Sequence, residues 1–195
     1  MSDRKSYHHG DLRMAAIEAG LALLKDREAD DLGLREVARA VGVSATALYR
    51  HFPDKAALLA ALAAAGLEQL GAAQLAAAEA AGGGKAGFAA TGRAYVRFAL
   101  ANPGLFRLIF ANAPTVPATD WNEKPDSAMQ LLRDNAVRLV AQDHGEAAAR
   151  TFALRAWALV HGLAVLMLDG QVSIDESMID AVIDVPAVGI ARDVC

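Results

Sequence analysis

Apolar residues recur along this chain at intervals of three and four, and that spacing predicts helices from end to end. Ile17, Leu21 and Leu24 make the first stripe, in a helix beginning near Gly10 and Asp11. Leu34, Val37, Ala38 and Val41 make the second. Gly42 interrupts that run, Val43 follows as an apolar plug, and Ser44 is placed to cap a third helix by accepting a backbone N–H bond. Leu48 and Phe52, four apart, form the buried edge of this third helix. Pro53 stops it, and Asp54 caps a long helix that runs to about Ala81 and ends at Gly82-Gly83-Gly84. Beyond the glycines, Phe88, Thr91, Tyr95 and Phe98 lie on a helix from about Lys85 to Ala101. Asn102-Pro103 breaks it, and Leu105, Phe106, Ile109 and Phe110 mark a short helix. An irregular loop follows from Asn112 to Pro125, with three prolines and Trp121. Three helices are then expected: Asp126 to about Asp143, Glu146 to Leu168 and Ile174 to Val185. The predicted fold class is all-α.

Between 33 and 52 the order is helix, glycine-containing turn, helix. That is the helix-turn-helix layout, whose second helix enters the DNA major groove; a plain helical hairpin with a polar outer face gives the same periodicity. The outward positions of the second helix carry small residues first and larger polar ones later. Thr46 offers a hydroxyl and a methyl, and Ala47 suits contact with a thymine methyl. Tyr49, Arg50 and His51 carry donors suited to phosphate oxygens. Lys55 falls in the first turn of the next helix, where its charge and free backbone N–H groups act together on one phosphate. The candidate DNA contacts are Arg35, Ser44, Ala45, Thr46, Ala47, Tyr49, Arg50, His51 and Lys55.

The run REVARAVGVSATALYRHFPDKAALLAAL resembles the DNA-binding part of the TetR family of bacterial transcriptional repressors. Ala38, Gly42-Val43-Ser44, Leu48-Tyr49, His51-Phe52 and Lys55 with Leu58 carry the likeness. The resemblance implies that Tyr49, His51 and Lys55 clamp phosphates while Thr46 and Ala47 face the bases. Gly33 departs from the pattern, which usually has Thr or Ser as first cap. Glycine caps a helix without a side-chain acceptor, so Gly33 is left out of the contacts.

Charge modifies this picture. The net charge of −4 is unusual for a DNA-binding chain. Residues 1–60 are neutral, with nine Lys/Arg and nine Asp/Glu, and the deficit lies in 61–195. A local excess remains, from Arg35, Arg39, Arg50 and Lys55 against Glu36 and Asp54. Binding is therefore expected to be moderate and salt-sensitive. Two domains are expected: residues 1–60 for DNA, and 61–195 for ligand and dimerisation. The changeover lies inside the long helix, near Ala60 to Leu70. The segment of residues 1–8 reads as an arm that is disordered without DNA.

In the second half, Phe88, Tyr95, Phe98, Phe106, Phe110, Trp121 and Trp157 either line a ligand cavity or form ordinary core. His161 is either a polar anchor for a ligand or a hydrogen-bonded core histidine. The strings NPGLFRLIF and WALVHGL resemble a ligand-domain type common among TetR-like regulators. That likeness implies a homodimer whose last two helices pair with their copies in a four-helix bundle. Leu159, Gly162, Leu163 and Leu166 on one helix, and Met178 and Val182 on the other, are the candidate interface.

Enzyme signatures are missing from the sequence. It has no GxSxG elbow, phosphate-binding GxxxxGK[ST], HExxH or Cys–His pairing. No cofactor or metal is expected. His8-His9 lacks helical ligand spacing, and Asp143, His144 and Glu146 straddle a helix break. No membrane span is expected, because Glu68, Gln69, Gln74 and Glu79 interrupt the Ala-rich run, and no signal peptide, because MSDRKSYHHGD lacks its apolar stretch. The single cysteine, Cys195, is a free terminal thiol, and the setting is a reducing cytoplasm. The expected function is a repressor released from a palindromic double-stranded operator by a small apolar or aromatic effector. The alternative is a regulator with no ligand, acting constitutively or through a protein partner.

Overall fold

The computed structural model describes residues 9–111 and 127–184. Every regular element among them is helical: α1 (His9–Leu23), α2 (Leu34–Val41), α3 (Ala45–Tyr49), α4 (Lys55–Ala80), α5 (Gly84–Ala101), α6 (Pro103–Ala111), α7 (Ser127–Ala136), α8 (Gln142–Leu168) and α9 (Glu176–Ile183). A 3₁₀ turn, Ala29–Asp31, precedes α2, and a π turn, Val137–Ala141, joins α7 to α8. The N-terminal arm, the proline-rich loop with Trp121, and Val185 onward lie outside the described residues. The chain divides into two compact units, one of Met1–Glu68 with Ala101–Val116, the other of Gln69–Leu100 with Pro117–Cys195. The division thus falls within α4, and α6 joins the unit that contains the helix-turn-helix.

The first unit is built on the apolar stripes of its short helices. Leu12, Ala16 and Ile17 of α1, and Leu24 just past its end, are buried with Leu34, Val37, Leu48, Phe52, Leu58 and Leu62. Each such side chain contributes about 1.5–3 kcal/mol by leaving water, so helices of eight and five residues persist here through packing rather than propensity. Val41, expected in the stripe, is only half-buried, because α2 ends there. Leu105 and Ile109 of α6 close over Gly66 of α4. At the start of α6, a side chain at Gly104 would collide with the backbone carbonyls of Leu24 and Arg27, so only glycine lets α6 sit this near the end of α1.

The second unit has two apolar clusters. Ala136 and Val140 pack with Ala149 and Ala153 near the α7–α8 turn. Val96 of α5, Leu163 and Met167 of α8, and Ile179 of α9 form the other. The helix expected over Asp126–Asp143 is not uniform, since five of its residues take the π turn. Gly145 then leaves helical geometry altogether (φ 78°, ψ 172°). By length and composition two helical stretches could cross a bilayer, Lys55–Ala80 and Ala128–Leu168. The second is not one rod, because Gly145 breaks it, and a core helix passes the same test. The last helix starts later than its apolar pattern predicts. Asp175 caps it by accepting from the Ser177 N–H at 2.9 Å, which leaves Ile174 outside and exposed.

Candidate nucleic-acid interface

The turn between α2 and α3 is set by backbone chemistry. Gly42 adopts φ 77°, ψ 27°, the left-handed region, and its N–H donates back to the Arg39 carbonyl at 3.1 Å. Val43 N–H donates to the Ala38 carbonyl at 2.9 Å, which completes the helix stop. A Cβ at Gly42 would meet nothing within 4 Å, so conformation rather than space selects glycine there. Ser44 follows as N-cap, its hydroxyl accepting from the Ala47 N–H at 3.2 Å. Leu48 and Phe52 point into the core, as their spacing predicts.

That inward pair orients everything else on α3. Ser44, Thr46, Tyr49 and Arg50 are exposed, Tyr49 by 44%. Ala45, Ala47 and His51 are half-buried at the flanks. The small residues therefore stand at the N-terminal end, where a base edge can come close, and the long donors at the other end. Arg35 is exposed on α2. Lys55 is half-buried at the start of α4, and its ammonium donates to the Asp30 carbonyl at 2.5 Å. It is thereby tied to the 3₁₀ turn before α2. Asp54 caps α4 by accepting from the Ala57 N–H at 2.7 Å. Gly33 has extended backbone (φ −120°, ψ 145°) and caps α2 without a side-chain bond.

One arginine outside the motif belongs to the same neighbourhood. The Arg13 guanidinium of α1 lies 5.5 Å from the centre of the Phe52 ring. Sequence periodicity places Arg13 on the polar side of α1 but carries no signal that it faces an aromatic ring so distant in the chain.

The ligand candidates are divided between the two units. Phe106, 2% exposed, and Phe110 pack ring to ring at 4.9 Å in the first unit. Phe88, Tyr95, Phe98, Trp157 and His161 are in the second, and Trp121 lies outside the described residues. In the second unit the Tyr95 hydroxyl and His161 Nδ1 are 2.9 Å apart. Trp157 stands 6.1 Å from the same imidazole, centre to centre. Burial holds His161 below the ordinary histidine pKa, so the imidazole is neutral near pH 7. Phe88 instead meets Phe152, at 5.1 Å, a partner that the aromatic stripe on α5 does not announce.

The interface candidates also divide. Leu159, Leu166 and Met178 are exposed by 46%, 40% and 43%. A Cβ at Gly162 would meet nothing within 4 Å. Leu163, only 7% exposed, turns inward, and Val182 packs against the same internal cluster. Their helical phase puts them on the protomer's own core rather than on its outer face. Sequence reading also missed the ionic attachment of α9. Arg93 pairs with both Asp180 (2.7 Å) and Asp184, and Arg97 pairs with Glu176 at 2.7 Å. Among the described residues no group of three or more His, Cys, Asp or Glu could hold a metal ion.

A short capped helix with an exposed small-residue end, seated on a trihelical core, defines a helix-turn-helix regulator. Residues 16–62 match the family model described as bacterial regulatory proteins of the tetR family. Residues 88–185 match the tetracyclin repressor-like C-terminal domain. The chain belongs to the TetR family of transcriptional regulators. No curated protein matches the sequence. Among solved structures, a protein of unknown function from Rhodococcus sp. RHA1 is 35% identical, with 92% of this chain and 93% of that chain covered and a TM-score of 0.71. A tetR-family transcriptional regulator from Streptomyces coelicolor has 20% identity, 89% and 78% coverage and a TM-score of 0.63. A TetR transcriptional regulator from Rhodococcus sp. RHA1 has 21% identity, 94% and 100% coverage and a TM-score of 0.57. At these last two identities the likeness speaks for the fold.

Proposed function

We propose that this regulator is a cytoplasmic, dimeric repressor that a small apolar or aromatic effector releases from a palindromic operator. The observation that carries the reading is the α3 surface: Thr46 and Ala47 at the approachable end, with Tyr49, Arg50 and His51 beyond them. Thr46 and Ala47 read bases, while Tyr49, His51 and Lys55 hold phosphates. The exposed Leu159, Leu166 and Met178, beside the open Gly162, support pairing of α8 and α9 with their copies. Two copies of α3 then address half-sites about 34–36 Å apart. For the effector, the rings of Tyr95, Trp157 and His161, gathered in the second unit, suit a small apolar or aromatic compound. Only Asn102 separates α5, which carries Tyr95, from α6, whose Gly104 rests on the carbonyls at the end of α1. A ligand that moves α5 therefore acts on the DNA-binding unit through α6, with coupling of about 1–3 kcal/mol.

Selection of bound duplexes from random DNA tests the central claim. A recovered palindrome with half-sites one helical turn apart is the expected result, and enrichment of an asymmetric sequence, or none, overturns the dimeric reading. A thermal-shift screen tests the effector. A compound that raises the midpoint and also weakens binding to the selected duplex is expected. If stabilising compounds leave DNA affinity unchanged, the protein is a constitutive regulator instead.

A further inference from the structure

We infer that Arg13, on α1 and outside the helix-turn-helix, is a phosphate-binding residue that the ring of Phe52 holds in place. The first unit has no cationic surplus, with as many acidic as basic side chains, so the environment of each cation matters. Arg27 is engaged by Glu36 at 2.6 Å, and Arg107 faces Glu28 at 3.9 Å. Lys55 is tied to the Asp30 carbonyl, in a turn that also carries Asp31. The Arg13 charge, by contrast, rests on an aromatic face.

That face is well chosen. Phe52 is 1% exposed and immobilised by the core, and it directly follows His51, one of the residues presented for phosphates. Arg13 itself is exposed. A guanidinium over a ring keeps its N–H donors at its edge, where they match phosphate oxygens bidentately. Stacking also reduces the freedom a long side chain loses on binding, because the ring already limits its rotamers. The result is a cation at the seam where α1 meets the α3–α4 turn, adjacent to the expected clamp and contributed by a different helix. The inference rests on α3 being the DNA-facing helix.

The test uses the full chain and a duplex recovered by selection from random DNA. Arg13→Ala is expected to weaken binding on the order of tenfold. The slope of log K against log salt should become shallower by about 0.9, the share of a single phosphate. The weakening should be the same on a duplex with one base pair changed in each half-site, because a phosphate contact carries no sequence information. Arg13→Lys should restore most of the slope, since it keeps the charge. An unchanged slope in Arg13→Ala overturns the inference. So does equal weakening in the Ala and Lys variants together with a lowered thermal midpoint, which would make Arg13 a packing residue for Phe52. If the wild-type chain binds no duplex, the DNA-facing assignment of α3 fails as well, and that outcome is visible without any variant.

Discussion

The shortest helices of the two units, α3 and α9, are anchored by opposite means. Five-residue α3 is held without ion pairs: Leu48 and Phe52 are sunk in the core, Ser44 caps its first turn, and Gly42 sets its entry. Eight-residue α9 fully buries Ile179 alone, with Val182 and Ile183 packed half-buried beside it, and is tied as well by Arg93 and Arg97 of α5 through Asp180, Asp184 and Glu176. Apolar burial is indifferent to ionic strength over the physiological range, whereas half-exposed ion pairs are screened. The helix proposed to read DNA should therefore keep its place as salt varies, so the salt response of binding reports phosphate contacts rather than a loosening scaffold. The element expected at the subunit interface should not share that indifference.

The largest effect that would test this contrast is Leu48→Ala. Removing a fully buried side chain from so short a helix should cost about 2–5 kcal/mol, read by urea denaturation, with DNA binding abolished and no recovery at any salt concentration. Salt-dependent recovery would mean that α3 is held electrostatically after all. Next is Gly42→Ala, which forces a Cβ into the left-handed region and should cost about 1–2 kcal/mol, again at every ionic strength. Because the site is open, a destabilisation near zero would show that the turn relaxes rather than strains.

Arg93→Met should have a smaller effect, at most about 1 kcal/mol, since its carboxylate partners are half-exposed. The difference from wild type should shrink in high salt, unlike that of the two core variants. Acid should act in the same direction. The Arg97 hydrogen bond holds the Glu176 carboxyl below its ordinary range. Its stabilisation is therefore present above the unfolded carboxylate pKa and is lost as pH falls through the lower folded value. His161 adds to the acid sensitivity: burial lowers its folded pKa below the ordinary value of 6.5, so the unfolded chain takes up the proton first and stability falls with pH below that point. A pH titration of the urea midpoint of wild type and Glu176→Gln separates the two, because only the carboxylate limb should disappear. The smallest effect is a gain. Gly33→Ser should stabilise by a few tenths of a kcal/mol, because it adds a cap acceptor at an extended position with open space around it. A drop in stability there would mean that glycine is needed for a reason the backbone geometry does not contain.

Helix existence, the capped turn at Gly42-Val43-Ser44 and the inward pair Leu48 and Phe52 were all legible in the sequence, because each depends on neighbours within four positions. So was the family, whose motif lies in the same local stretch. Several of the predicted groupings were not resolved by periodicity. An aromatic stripe looks the same whether Phe106 and Phe110 pack in one unit or Tyr95 and Trp157 gather in the other. Leu159 and Leu163 differ by one turn in sequence, yet one is exposed and the other is core, because α9 and α5 cover only part of α8.

Local chemistry, then, determined by itself that this chain makes helices, where most of them start and stop, and which face of α3 is exposed. Only the tertiary structure decided that α6 joins the unit holding the helix-turn-helix, that Arg13 stacks on Phe52, that Lys55 ties back to Asp30, and that arginines on α5 hold α9. The physical reason is range. Capping and backbone conformation act over three or four residues, whereas ion pairs and ring contacts between helices depend on where the packing brings distant side chains.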